Sequence, residues 1–329
     1  MKNLFLMLAC FLFLYQVQGQ RTVSFRGHIK NINPEESIYL GLDQVVLPLK
    51  IREDGTFEVE EHIEQNPSFF FFAIIAKGGK IEHKTPLIWF KADRIKVTLD
   101  WSNKSFETME LMPFQSLSEK IEALSEDKQL ELIQKNPNEI PSLYFLDAHK
   151  EKHKVEVLDT YFDSLNEENK MSVYAKRVAN YLAAIKRPAL KKGETVENFQ
   201  LPNKKNELVD VIYGKNKPQL IGLLSSGCAY SIVSLNLLKQ LSELNDDSIE
   251  IVTIWDDKSK NTWLNSHQDE KSNITWTNLW DEFGFAKTYL NRKIWPTFYI
   301  INKNGELTQI LMGYDKKTAK VLKRLVEQS

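Results

Sequence analysis

One cysteine in this chain stands where a thiol could do chemistry. Cys228 falls in Leu-Ser-Ser-Gly-Cys-Ala-Tyr-Ser, between the strand-like segment of residues 218–226 and a helical pattern that continues through Gln240. A cysteine at a helix N-terminus meets free backbone N–H groups and the positive end of the helix dipole, which favour the thiolate and make it a nucleophile. Such a thiolate attacks a disulfide to form a mixed disulfide, and a second thiol must then release the product. Where a redox site would place that second thiol, three residues on, this chain has Ser231. Its hydroxyl ionises far too reluctantly to complete the exchange, so turnover by the two-thiol route is expected to stop at the first step.

A second spacing with chemical meaning is His149 and His153, four apart. On one helix both would face the same side and supply two metal ligands. The residues between them are Lys150, Glu151 and Lys152, no third ligand is suggested nearby, and the pair reads as a solvated, charged helix face. The other histidines, His28, His62, His83 and His267, are scattered among polar neighbours. No metal site and no cofactor are expected.

The elements that must position Cys228 come from a chain of 329 residues, 42% hydrophobic and 26% charged, long enough for two domains. A net charge of −1 gives no long-range field toward nucleic acid or an anionic membrane surface. The start has Lys2, an apolar run from Leu4 to Tyr15 and a small-residue pattern at Val17-Gln18-Gly19, which reads as a secretory signal peptide over residues 1–19. Cys10 follows Leu8-Ala9, but the apolar run continues past it, which weighs against lipid anchoring there. The mature protein is expected to be periplasmic or otherwise exported, to have no membrane span, and to keep Cys228 alone, so no internal disulfide can form.

Residues 20–113 suit strands. Segments such as VSFRGHI, SIYLGL, TFEVEEHI and RIKVTLDW are short, β-branched or aromatic, and separated by turn signals at Asn33-Pro34, Asp54-Gly55 and Gly78-Gly79. The run Phe69 to Phe72 reads as a strand buried on both faces. Residues 114–189 are helical, with Pro137 and Pro141 opening one helix and Tyr174, Val178, Tyr181, Leu182 and Ile185 at the spacing of one face of another; two or three helices are expected. From residue 190 the order is strand, helix, strand, helix, a hairpin and a closing helix. Trp255, Trp263, Trp276 and Trp280 read as packing around the second of these strands and the segment after it.

Three features carry a resemblance. KKGETVENFQLPNKKNELVDV supplies an opening strand pair with Phe199, GCAYS stands at the end of a central strand, and IWPTFYIINKNGEL supplies a proline loop, a strand and a turn. Residues 190–329 resemble the thioredoxin-fold domains of exported thiol-disulfide oxidoreductases related to ResA and TlpA, and of thiol peroxidases. The amino-terminal part resembles a β-rich domain that precedes such domains in exported bacterial proteins, joined by helices with an N-P-x-x-x-x-S-like turn, here Asn136 to Ser142. The resemblance implies an α/β thioredoxin fold behind a separate all-β domain and a helical connector. It also implies Cys228 as the attacking thiol, Phe199 as a buried phenylalanine, and Pro296 as a cis residue whose loop pairs with an extended partner segment.

The chain departs from that pattern at Ser231, at Gly227 in place of a usual tryptophan, and over Ile232-Val233-Ser234-Leu235-Asn236. Three readings stand side by side: a buried cysteine in a binding or structural module, a monothiol that relies on an external thiol or holds a partner as a mixed disulfide, and a peroxide-reacting cysteine. The last lacks an arginine evident beside the thiol. Partner contacts are expected at Gly227, Ala229, Tyr230, Trp295 and Pro296, with Tyr230 and Trp295 forming an apolar shelf. The expected partner is a protein or peptide thiol or disulfide.

Overall fold

The computed structural model describes residues 21–32, 37–42, 45–63, 67–75, 81–103, 105–108, 111–213, 217–244 and 248–327. The leader, Cys10, and the turns at Asn33-Pro34 and Gly78-Gly79 lie outside the described residues. The chain divides into two compact units, Met1–Pro113 and Phe114–Ser329.

Among its described residues the regular elements of the first unit are all strands: β1 (Arg21–Lys30), β2 (Ile38–Leu42), β3 (Val45–Pro48), β4 (Thr56–Ile63), β5 (Ser68–Ile75), β6 (Ile81–Lys84), β7 (Ile88–Phe90), β8 (Arg94–Asp100) and β9 (Ser105–Thr108). One sheet runs β4-β1-β8-β9; the other runs β3-β2-β5-β6, with β7 also on β5. Alternation decides what they bury. Val23 and Phe25 on β1, Phe57 on β4 and Val97 and Leu99 on β8 join Leu40, Phe70, Phe72 and Phe90 from the other sheet in one core. The rings of Phe25 and Phe70 meet edge to face across it, 5.3 Å between centroids. Phe69, Phe70 and Phe72 are buried. Phe71 is only half-buried, lying across Gly41 with the Lys84 ammonium 4.7 Å from its ring centroid. The strand is therefore covered on both faces, by the core on one and by Trp89 and Lys84 on the other.

The second unit opens with six helices: α1 (Gln115–Glu122), α2 (Glu126–Lys135), α3 (Ile140–His149), α4 (Val155–Asp163), α5 (Glu167–Lys170) and α6 (Val173–Ile185). This is more than the two or three expected, because short helices separated by capping residues blur into one helical period. Asn166 caps α5 by accepting the Asn169 N–H, and Ser172 caps α6 by accepting that of Ala175. The His149 and His153 reading needs correction. His149 ends α3, a 3-10 turn over Lys150–Lys152 follows, and His153 lies in extended backbone, so no single helix carries both. Asp147, buried on α3, pairs with Lys150 at 2.7 Å and with Arg177 of α6 at 3.5 Å.

Then follow a hairpin of β10 (Gln200–Pro202) and β11 (Leu208–Asp210), β12 (Gln219–Leu224), α7 (Ala229–Leu244), β13 (Glu250–Trp255), α8 (Lys260–Asn265), α9 (Gln268–Lys271), β14 (Thr277–Trp280), α10 (Phe285–Tyr289), β15 (Thr297–Ile301), β16 (Leu307–Met312) and α11 (Lys316–Glu327). The sheet order is β14-β13-β12-β15-β16, with β14, β13 and β12 parallel and β15 and β16 antiparallel. Every residue of β12 is buried, which explains the apolar run from Leu220 to Leu224; Gln219 at its start accepts the Tyr213 N–H and donates to the Val211 carbonyl. Ile221 and Leu223 of β12 face one core with Val252, Ile254, Tyr299 and Phe199. Leu220 and Leu224 face the other with Leu235 and Leu238 of α7 and Leu322 of α11. Helix α6 packs on α10, and Arg187 just beyond it lies over the Phe285 and Tyr289 rings at 5.0 and 5.1 Å. The helical segment thus packs on the α/β layer through α10.

Candidate functional site around Cys228

Central strand β12 ends at Leu224 and helix α7 begins at Ala229, so residues 225–228 form a tight loop with Cys228 at the helix start. The Cys228 N–H donates to the Ser225 carbonyl at 3.1 Å, and the Cys228 carbonyl accepts from Ser231 at 2.9 Å and Ile232 at 3.2 Å, the first bonds of α7. Cys228 is half-buried, while Gly227, Ala229 and Tyr230 beside it are exposed. Its Sγ donates to the Trp295 carbonyl at 3.5 Å, which brings residues 67 positions apart in the chain into contact.

Ser231 is fully buried. Its hydroxyl accepts the Ser225 N–H at 3.2 Å, and its carbonyl accepts from the Ser234 hydroxyl at 2.7 Å. At the position of a second thiol, the side chain therefore ties the loop to the helix. Gly227 has no steric need to be glycine: a Cβ there would meet nothing nearer than the Ser225 hydroxyl at 3.8 Å.

The facing loop carries Trp295 and Pro296, joined by a cis peptide bond. Pro296 is buried, and its carbonyl accepts the Gly313 N–H at 2.8 Å, so Pro296 contributes backbone shape more than surface. Trp295 is 36% exposed and Tyr230 63%, with Ile294 at 46% adding apolar surface to the same loop. The sequence reading missed what holds Trp295. The Arg292 guanidinium lies 3.8 Å from its ring centroid and pairs with Asp256 at 3.4 Å, an arrangement favourable to an arginine sandwiched between a carboxylate and a ring. Lys287 reaches the same carboxylate at 3.4 Å. Burial still raises Asp256 above the usual aspartate range, against the pull of those two cations. Nearby Asp281, buried, accepts the N–H groups of Ala286 and Lys287 at the start of α10; burial first, then the charge of Asp256, pushes it up to about 6.

A second polar group lies under the thiol loop. Asp257, just past β13, accepts the Ser226 N–H at 2.8 Å and the Ser226 hydroxyl at 2.5 Å. Lys271 at the end of α9 donates to that hydroxyl at 2.6 Å. The Asp256-Asp257 doublet at a strand end was a visible signal for these groups; nothing local pointed to Lys271 or Arg292. Among the described residues no cluster of three or more His, Cys, Asp or Glu side chains could hold a metal ion. No helix among them is long and apolar enough to cross a membrane.

Three parallel strands, two antiparallel strands, a cysteine at the start of the helix after the central strand and a proline loop facing it define a thioredoxin fold for the α/β layer. Solved structures similar to it include the thioredoxin domain of a thiol-disulfide oxidoreductase from Bacteroides vulgatus, 16% identical with a TM-score of 0.36 over 42% of this chain and 99% of that one. A thiol-disulfide oxidoreductase from Bacteroides fragilis is 20% identical, TM-score 0.35, over 40% and 99% of the two chains. A secreted disulfide oxidoreductase of Mycobacterium tuberculosis is 17% identical, TM-score 0.34, over 40% and 96%. No family model and no curated protein matches the chain.

Proposed function

We propose that the carboxy-terminal unit acts on protein thiols or disulfides outside the cytoplasm through Cys228 alone. The observation that supports this most is the contrast at the two ends of one helical turn: Cys228 is partly open and touches the Trp295 carbonyl, while Ser231 is sealed with its hydroxyl spent on the loop backbone. The Cys228 thiolate attacks one sulfur of a partner disulfide; a bond forms to Sγ, the partner's S–S bond breaks, and its other sulfur leaves as a thiolate. Release then requires an external thiol that attacks the mixed disulfide, returns Cys228 as a thiolate, and stays joined to the partner. Tyr230 and Trp295 offer apolar surface for the partner's residues beside its cysteine.

A second reading has its own support. With Ser231 buried and hydrogen-bonded, the unit can bind an extended segment against Trp295 and Tyr230 with no covalent step. The two readings part in one experiment. Incubated with a disulfide-containing protein and resolved without reductant, the working thiol yields a covalent adduct that Cys228→Ala abolishes. Binding that survives Cys228→Ala, without any adduct in the unsubstituted protein, supports the module. Without an external thiol neither reading releases reduced insulin chains, since the working thiol stops at the mixed disulfide; release of reduced insulin by the pre-reduced protein alone would overturn the role given to Ser231.

A further inference from the structure

Ser226, two residues before Cys228, is buried and gripped from two directions. Its N–H and its hydroxyl both donate to the Asp257 carboxylate, at 2.8 and 2.5 Å. The same hydroxyl accepts from Lys271 Nζ at 2.6 Å. Lys271 is itself placed with precision: it donates to the Trp263 carbonyl at 2.7 Å and lies 4.1 Å from the centroid of the Trp255 ring. Trp280 closes the frame, donating its indole N–H to the Asp257 carbonyl at 2.7 Å and stacking on Trp263. Packing alone does not call for an ammonium here. An apolar side chain would cover Trp255 without the cost of removing a charge from water, a cost that draws Lys271 down to about 8. What the ammonium adds is a third hydrogen bond at Ser226, the one its hydroxyl accepts.

We propose that Lys271 is a positioning residue for Cys228: by clamping the Ser226 hydroxyl against Asp257 it fixes the loop that presents the thiol. The inference rests on the reading of Cys228 as a working nucleophile. The charged groups acting on Lys271 are Asp257 across the loop and Glu270 on its own helix. Helix α7, which packs on α9, carries no charged residue before Lys239, and Lys260 of α8 is bonded to Asn206 instead.

The test is the rate at which iodoacetamide alkylates Cys228 in the folded, full-length chain from pH 6 to 9.5, followed by the mass of the Cys228 peptide after quenching and digestion, which separates it from Cys10. Lys271→Met keeps a long apolar stem on Trp255 and removes charge and donor. Its expected rate at pH 7 is about three- to tenfold below that of the unsubstituted protein, the scale of one lost hydrogen bond in the loop that presents the thiol. Lys271→Arg keeps charge and donors across the range; it should recover most of the rate at pH 7 and lack the inflection near pH 8 that arises as Lys271 loses its proton. Superimposable profiles for the unsubstituted and Lys271→Met proteins would overturn the inference. If Lys271→Met lacks a native near-ultraviolet circular dichroism spectrum, Ser226→Ala decides, since it cuts the clamp and leaves the lysine: a similar slowing supports the inference and an unchanged profile overturns it. A Cys228 that no alkylating agent reaches before unfolding removes the working-thiol reading and this inference together, whereas a reactive Cys228 indifferent to the substitutions removes only the role of Lys271.

Discussion

Cys228 and Ser231 divide between them what a two-thiol site would share. The serine hydroxyl is an oxygen acceptor for the Ser225 N–H, and it is fully buried. Ser231→Ala leaves that N–H without a partner, with an expected loss of about 1–3 kcal/mol in chemical denaturation. Ser231→Cys replaces a good acceptor with a weak one, at an expected cost of roughly 1 kcal/mol, and places a second thiol one helical turn from the first. Oxidised, this variant should lose two hydrogens by mass and reduce insulin disulfides over many cycles. Failure to form the internal disulfide would mean that the loop does not bring the two sulfurs within bonding reach.

Element by element, the site depends on strand ends that carry buried carboxylates. Asp281, at the end of β14, caps the five-residue helix α10 through two backbone N–H groups, and α10 is the surface on which α6 packs. Its folded value of about 6 lies above the roughly 3.9 of a free aspartate, so the folded chain holds this proton more tightly than the unfolded one. The corresponding stability is full below about pH 4 and is lost as pH rises through about 6. Asp281→Asn can accept only one of the two N–H groups, a cost that does not vary with pH, and it does not titrate. The melting-temperature deficit of Asp281→Asn should therefore shrink between pH 4 and pH 7; a constant deficit would show that Asp281 stays ionised throughout. Arg292 acts on the opposite loop. Arg292→Ala removes the group stacked on Trp295 and leaves Asp256 with Lys287 alone. Its expected effects are a shifted Trp emission maximum and at least a severalfold loss in adduct formation with a disulfide protein, with little change in alkylation by a small reagent.

At the scale of the whole molecule, the helical segment is part of the unit that holds the thiol. Leu182 and Ala184 of α6 are buried, and Arg187 covers Phe285 and Tyr289. A chain beginning at residue 190 exposes those surfaces, while one beginning at residue 114 keeps them covered. The shorter chain should melt on the order of 10 °C lower. Uncovering that helix face should cost roughly 3 kcal/mol of apolar burial, and each kcal/mol moves the midpoint of a unit this size by about 2–4 °C. Equal melting temperatures for the two chains would show that the helices add nothing to the α/β layer.

Much of this architecture was legible in residue order. The burial of β12 on both faces appears as the apolar run of residues 220–224, and the alternation in β8 appears in RIKVTLD, because the side chains of one strand take their partners at a fixed period of two. The α/β order after residue 190, and the placement of Cys228 at a helix start, were likewise readable from local pattern. Six helices were not resolved from two or three, since their capping residues interrupt the backbone without interrupting the period. His149 and His153 were four apart in sequence yet on different backbone segments. Nor could sequence reveal that Lys271, 43 positions after the thiol, would clamp Ser226, or that Arg292 would lie between Asp256 and Trp295. The sequence by itself determined where the strand-rich, helical and α/β stretches fall and where along them the thiol sits, since those follow from neighbours a few residues apart. Only the tertiary structure decided which charged groups meet beneath and beside that thiol, because such contacts depend on which strand ends the sheet order places side by side.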